Sequence, residues 1–116
     1  MKKIYYLKTC DTCKRILRSI STDDFIFQDI KSEQISEAQL EEMKNLAGSY
    51  QALFSRRAKK YKEMGLKDQV LDETDYKRYI LSDYTFLQRP VIISDNEIYI
   101  GSGKKNLLAL ESKFLR

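Results

Sequence analysis

The chain has 116 residues, 42% of them apolar and 33% charged, with a formal charge of +4 and no histidine. That length fits one compact domain with a real core, and no apolar run approaches the roughly 20 residues of a membrane helix. The missing histidine excludes Ser–His and Cys–His nucleophile pairs and imidazole metal ligands, and two cysteines are too few for a disulfide framework.

Met1-Lys2-Lys3-Ile4 lacks the apolar stretch of a signal peptide, so the expectation is a soluble cytoplasmic protein without a membrane partner. Lys and Arg alternate with Asp and Glu along most of the chain, unlike the one-sided basic face of a nucleic-acid binder, so no direct nucleic-acid partner is expected. The one dense basic block, Arg56-Arg57-Ala58-Lys59-Lys60, reads either as a solvated helical face or as an anion site.

Ile4 to Leu7 reads as a short buried strand, broken at Lys8-Thr9. From Asp11 the pattern turns helical, with Cys13, Ile16, Leu17 and Ile20 on one apolar face. Cys10 therefore sits where a strand hands over to the first turn of a helix, whose free N–H groups favour a thiolate. Cys13, three residues on, can close a disulfide with it, which makes Cys10-Asp11-Thr12-Cys13 a candidate redox C-x-x-C site. Cys13 also lies on the apolar face and reads equally as a packed side chain. With no second C-x-x-C, no metal site is expected.

A turn at Ser21 to Asp24 leads to a second strand at Phe25 to Phe27, and Asp29 to Gln34 forms a connection. Ser36 with Gln39 makes a capping box, Ile35 and Leu40 a hydrophobic staple, and Gly48 a left-handed stop, so a helix spans this stretch. Tyr50 to Phe54 is ambiguous between helix and extended chain. Ser55 is expected to cap a helix running through Tyr61 to Gly65, a turn of helix follows near Leu66 to Leu71, and Thr74 begins another with Tyr76, Tyr79 and Ile80 on one side. Val91-Ile92-Ile93 and Glu97 to Ile100 read as two strands joined by a turn at Asp95-Asn96, and Lys104 to Leu115 as a closing helix. The order is β-α-β, a helical insertion over about residues 34–83, then β-β-α. It describes an α/β protein with a thioredoxin-like fold: a small mixed four-stranded sheet flanked by helices, in a single domain over 1–116. Pro90 fits the place where that fold carries a cis-proline opposite its cysteines, and reads otherwise as an edge-strand proline.

Three blocks, in order and in register, resemble the arsenate reductase (ArsC) family and its Spx-type and YffB-type relatives: Tyr6 to Arg15, Ala52 to Leu66, and Leu87 to Ile93 with the hairpin and Gly101 after it. The resemblance implies a thiol-dependent oxidoreductase with Cys10 as nucleophile, Cys13 as resolving thiol, and Arg57 and Arg89 holding an oxyanion beside them. It also implies that Asp11, Thr12, Lys14, Arg56 and Pro90 border the substrate, a small oxyanion or thiol, and that the arginines, with Lys14 or Arg15, lower the Cys10 pKa. No bound cofactor is implied; the electrons would come from an external thiol reductant, either glutathione with glutaredoxin or thioredoxin. Two departures from the reductase pattern stand out. Ser102 occupies the region where glutaredoxin-dependent reductases carry a further arginine, which leaves the substrate open. Cys13 is usual in Spx-type regulators instead, so the alternative is a redox-sensing transcriptional regulator that binds RNA polymerase through a Cys10-Cys13 switch.

Overall fold

A computed structural model describes residues 1–115; Arg116, the last residue of the expected domain, lies outside the described residues. The chain packs as two compact units: Met1–Gln34 together with the chain from Arg89 onward, and Ile35–Gln88. Among the described residues no helix is long and apolar enough to cross a membrane.

The first unit holds a four-stranded mixed sheet. Strand β1 (Lys2–Tyr6) runs parallel to β2 (Ile26–Asp29) and antiparallel to β3 (Val91–Ser94), and β3 pairs antiparallel with β4 (Glu97–Ile100), giving the order β2-β1-β3-β4. Helices α1 (Asp11–Arg18) and α5 (Lys104–Lys113) complete it. This is the thioredoxin-like arrangement expected from the order of elements. Side chains alternate across a strand, so Ile4 and its partner Ile92 point the same way and meet Ile16 and Ile20 of the α1 segment and Leu110 of α5 in one buried cluster. Tyr6, Leu17, Phe25, Tyr99, Leu107 and Phe114 close its rim, with Phe114 edge-on to both Phe25 and Tyr99. Val91, Ile92 and Ile93 are each fully buried, which explains a β-branched run without polar alternation.

The boundaries of three elements in this unit differ from the sequence expectation. Strand β1 begins at Lys2, because the backbones of Lys2 and Lys3 pair with Ser94 and Ile93 although their side chains are polar. Strand β2 is shifted to Ile26–Asp29: Gln28 is buried and hydrogen-bonds from its amide to the Glu33 carbonyl at 3.0 Å, so a polar residue is accommodated in the strand. Helix α5 ends at Lys113, and Leu115 instead forms an isolated bridge with Ile20.

The second unit contains α2 (Glu37–Ala47), α3 (Lys59–Glu63) and α4 (Glu73–Ser82), with single 3-10 turns at Gln51–Leu53, Leu66–Asp68 and Tyr84–Phe86. The capping box of α2 is present: Gln39 N–H donates to Ser36 Oγ at 3.1 Å and Ser36 N–H to Gln39 Oε1 at 3.0 Å. Gly48 ends the helix at φ 95°. Two helix starts are corrected. Asp72, not Thr74, opens α4, in a reciprocal pair with Asp75 at 2.9 and 3.1 Å. The helix after Ser55 starts only at Lys59, and Ser55 Oγ accepts the Arg57 N–H at 3.3 Å in a local turn. Phe54 is the centre of this unit. Its ring stacks on Phe86 with centroids 5.4 Å apart, and meets Tyr76 at 4.9 Å and Tyr61 at 5.9 Å in edge contacts.

Candidate active site

Between β1 and α1 the chain makes one tight turn. The Cys10 N–H donates to the Leu7 carbonyl at 3.0 Å, and the Cys10 carbonyl accepts the Lys14 N–H at 3.1 Å as the first bond of α1. Asp29, at the end of β2, fastens the same turn by accepting the Lys8 N–H at 3.2 Å. Cys10 is thus the N-cap of α1, in extended backbone conformation (φ −93°, ψ 112°), and makes no close capping bond of its own. The orphan N–H groups of the first turn are left to act on its sulfur.

Burial disfavours the Cys10 anion, but less than its neighbours favour it. The Cys13 N–H and thiol, the Thr12 N–H and the positive charge of Arg89 together pull the Cys10 pKa below the usual thiol value. Cys13 behaves oppositely. It is fully buried in the helix face, and that burial, with its hydrogen bond to Cys10 and the nearby Cys10 charge, pushes its pKa up to about 11 against the pull of the Leu7 backbone and Arg89. The pair is a half-buried thiolate candidate with a protonated donor one helical turn below it.

Arg89 lies two residues before β3, and its positive charge acts on Cys10. Its peptide bond to Pro90 is cis, so Pro90 occupies the position expected of the thioredoxin-like proline. Pro90 is buried, its carbonyl accepts the Gly101 N–H at 2.8 Å, and β3 begins at the next residue. Of the cations expected to act on Cys10, the one that does so most is Arg89; Lys14 is exposed on α1.

The structure brings Cys10, Thr12, Cys13 and Arg89 together; Asp11 and Lys14 flank them on α1, and Pro90 adjoins Arg89. Arg56 and Arg57 are exposed residues of the second unit. Arg56 Nη2 donates to the Tyr76 hydroxyl at 3.4 Å, and Arg57 lies two residues before the start of α3. Ser102 is half-buried in the turn between β4 and α5, followed by Gly103 as the N-cap of α5 and the exposed Lys104 and Lys105. Among the described residues no group of three or more His, Cys, Asp or Glu side chains is placed to hold a metal ion.

Sequence reasoning missed one feature. An open pocket of about 460 Å³ lies along α1, lined by Asp11, Thr12, Arg15 and Arg18. Its signal was the spacing of Asp11, Arg15 and Arg18, which places all three on the helix face opposite Cys13 and Ile16.

The family model described as the ArsC family matches residues 5–110. The chain is similar in structure to an arsenate reductase from Vibrio cholerae, at 18% identity, a TM-score of 0.73, and coverage of 94% of this chain and 96% of that one. It is similar to an arsenate reductase (ArsC) related protein from Brucella melitensis, at 21% identity, a TM-score of 0.69, and coverage of 93% and 92%. It is also similar to a protein from Staphylococcus aureus, at 23% identity, a TM-score of 0.73, and coverage of 95% and 98%. At these identities the structural likeness is one of fold. No curated protein matches the sequence.

Proposed function

The chain belongs to the ArsC family, whose members support a thiol-dependent, reductase-like function, and from that premise we propose that Cys10 and Cys13 form a two-electron thiol couple. Cys10 is the nucleophile and Cys13 the resolving thiol. The observation that carries the reading is the asymmetry of the two sulfurs: one N-terminal to a helix, half-exposed and stabilised as an anion, the other buried, protonated and donating to it.

In the first step the Cys10 thiolate attacks an oxyanion centre or a substrate sulfur. Adduct formation consumes the Cys10 charge, and with it one of the causes that hold the Cys13 proton. Cys13 can then lose its proton and attack Cys10 Sγ, forming the Cys10–Cys13 disulfide and releasing the reduced product. With an oxyanion, two thiols supply two electrons and one substrate oxygen leaves as water. An external thiol system, glutathione with glutaredoxin or thioredoxin, returns the disulfide to the dithiol.

Arg89 offers a planar fork for a tetrahedral anion and a charge for the thiolate. Asp11, Thr12, Lys14 and Pro90 border the substrate in this reading. Ser102 leaves the position of a further arginine unfilled, so the oxyanion need not be arsenate.

The test is arsenate reduction coupled in turn to glutaredoxin and to thioredoxin, with Cys10→Ser as control. Turnover lost in Cys10→Ser supports the reading. No turnover with either reductant refutes the reductase, and capture of RNA polymerase by the oxidised chain would then assign the same cysteines to a regulatory switch.

A further inference from the structure

Resting on the reading of Cys10 as nucleophile, we propose that Asp29 is the positioning residue of the cysteine pair. Its carboxylate fixes the peptide plane between Leu7 and Lys8, and that plane aligns the backbone groups that hold both sulfurs. Asp29 Oδ1 accepts the Lys8 N–H at 3.2 Å. The carbonyl of the same peptide unit, that of Leu7, accepts the Cys10 N–H at 3.0 Å. This peptide is trans, so it is planar and points its N–H and C=O in opposite directions. Asp29 and Cys10 therefore hold the two ends of one rigid unit. The preceding peptide carries the Leu7 N–H, which acts on the Cys13 sulfur. Tilting the Leu7–Lys8 plane thus disturbs Cys10 and Cys13 together. A charged acceptor on the N–H also polarises the peptide and strengthens its carbonyl as an acceptor.

Asp29 is itself held in place. Oδ1 also accepts the Lys31 N–H at 3.4 Å, and Ser32 Oγ donates to Oδ2 at 3.1 Å. The Asp29 carbonyl accepts the Glu33 N–H at 2.8 Å, and the Ile30 N–H donates to the Tyr6 carbonyl at 2.9 Å. The end of β2 is pinned in this way to the end of β1, one residue before Leu7. Burial opposes the Asp29 anion, but the hydrogen bonds from Lys8, Ser32 and Lys31 and the Lys8 charge outweigh it. They hold the carboxyl below the usual carboxylate range. Asp29 is therefore an anion at neutral pH, and its bond to Lys8 is charge-assisted there.

A negative charge near a thiol by itself disfavours the thiolate. The placement of Asp29 works the other way. With its N–H held by Leu7, Cys10 stays at the N-cap of α1, where the Thr12 and Cys13 N–H groups meet its sulfur. Charge and position pull on Cys10 in opposite directions, so substitutions can separate them.

The measurement is the pH dependence of Cys10 labelling by iodoacetamide, read by peptide mass mapping; its midpoint reports the ionisation of Cys10. Asp29→Ala removes both charge and acceptor. It should raise the midpoint by about half a pH unit, an about threefold loss of thiolate on the acid limb, the scale of one exposed hydrogen bond. Asp29→Asn keeps an oxygen for the Lys8 N–H and loses the charge, so its midpoint should stay at the wild-type value or fall below it. Asp29→Glu keeps the charge but carries it one methylene further out, and should raise the midpoint as alanine does. It takes the place of Asp29→Ala if circular dichroism shows that variant unfolded. A midpoint that falls in Asp29→Ala, or stays at the wild-type value in Asp29→Glu, overturns the positioning role, because only charge then reaches Cys10. Midpoints unmoved in all three variants, with a lowered unfolding temperature alone, reduce Asp29 to a structural bond and overturn it too. A wild-type midpoint at the ordinary thiol value overturns the activated Cys10 itself, and the role of Asp29 with it.

Discussion

Replacing Cys13 by alanine removes the thiol that donates to Cys10 and leaves the Cys13 N–H in place. A hydrogen bond to a charged group contributes about 1.5–3 kcal/mol, and the half-exposed setting of Cys10 puts this one at the low end. About 1.4 kcal/mol corresponds to a tenfold change in the ionisation constant, so Cys13→Ala should make Cys10 about tenfold harder to ionise. The more basic thiolate is also the better nucleophile, by about threefold for that change. The two effects oppose each other. Below the midpoint of the pH profile the variant should react about threefold more slowly than wild type with a neutral chromogenic disulfide such as 4,4′-dithiodipyridine; on the alkaline plateau it should react about threefold faster. Stopped-flow absorbance across the pH range reads both limbs, and the crossing of the two curves is the signature. Cys13→Ser keeps a hydroxyl donor and should fall between the two. A midpoint that stays put in Cys13→Ala, or moves toward acid, would show that Cys13 does not stabilise the Cys10 anion.

The same asymmetry orders simple modification: near neutral pH iodoacetamide should label Cys10 well before Cys13, and peptide mass mapping that finds equal, slow labelling would count against an activated thiolate. Arg89→Lys keeps the charge beside Cys10 but loses the fork, so oxyanion turnover should fall at least tenfold while the reaction with dithiodipyridine changes little; Arg89→Gln should slow both. Phe54→Ala should destabilise the protein by about 3–5 kcal/mol in urea unfolding, because its ring touches three others; a loss under about 1.5 kcal/mol would mean the aromatic cluster collapses around the gap. Ser36→Ala should cost about 1 kcal/mol by thermal unfolding, and a second change at Gln39 should add less than it does alone, since the two residues cap each other.

Where the signal is local, the sequence carried it. Ser36, Gln39 and Gly48 act on backbone groups within a turn of themselves, and the structure has each where it was expected. Cys10 was legible for the same reason: the switch from strand to helix pattern happens within a few residues of it. Boundaries decided by distant partners were not. Lys2 and Lys3 look like a polar leader until β3 supplies their ladder. Asp72 gives a weak signal, because an aspartate at the third helical position marks a capping box less clearly than glutamate or glutamine. Ser55 is a good capping residue, but its hydroxyl takes a nearer N–H. The effect of Arg89 on Cys10 joins residues from opposite ends of the chain, and only the family resemblance brought them together beforehand.

That long separation has a consequence for how the protein is made. β1 sits in the middle of the sheet, yet its antiparallel partner β3 belongs to the last third of the sequence. During synthesis the Cys10 segment leaves the ribosome well before β3 and waits, and a sheet that pairs segments so far apart in sequence closes late. In that interval α1 is too short to persist alone, and Arg89 has yet to arrive. Until then Cys10 lacks the helix N–H groups and the guanidinium charge that lower its pKa in the folded protein. The surroundings that favour its anion are complete only when the sheet closes.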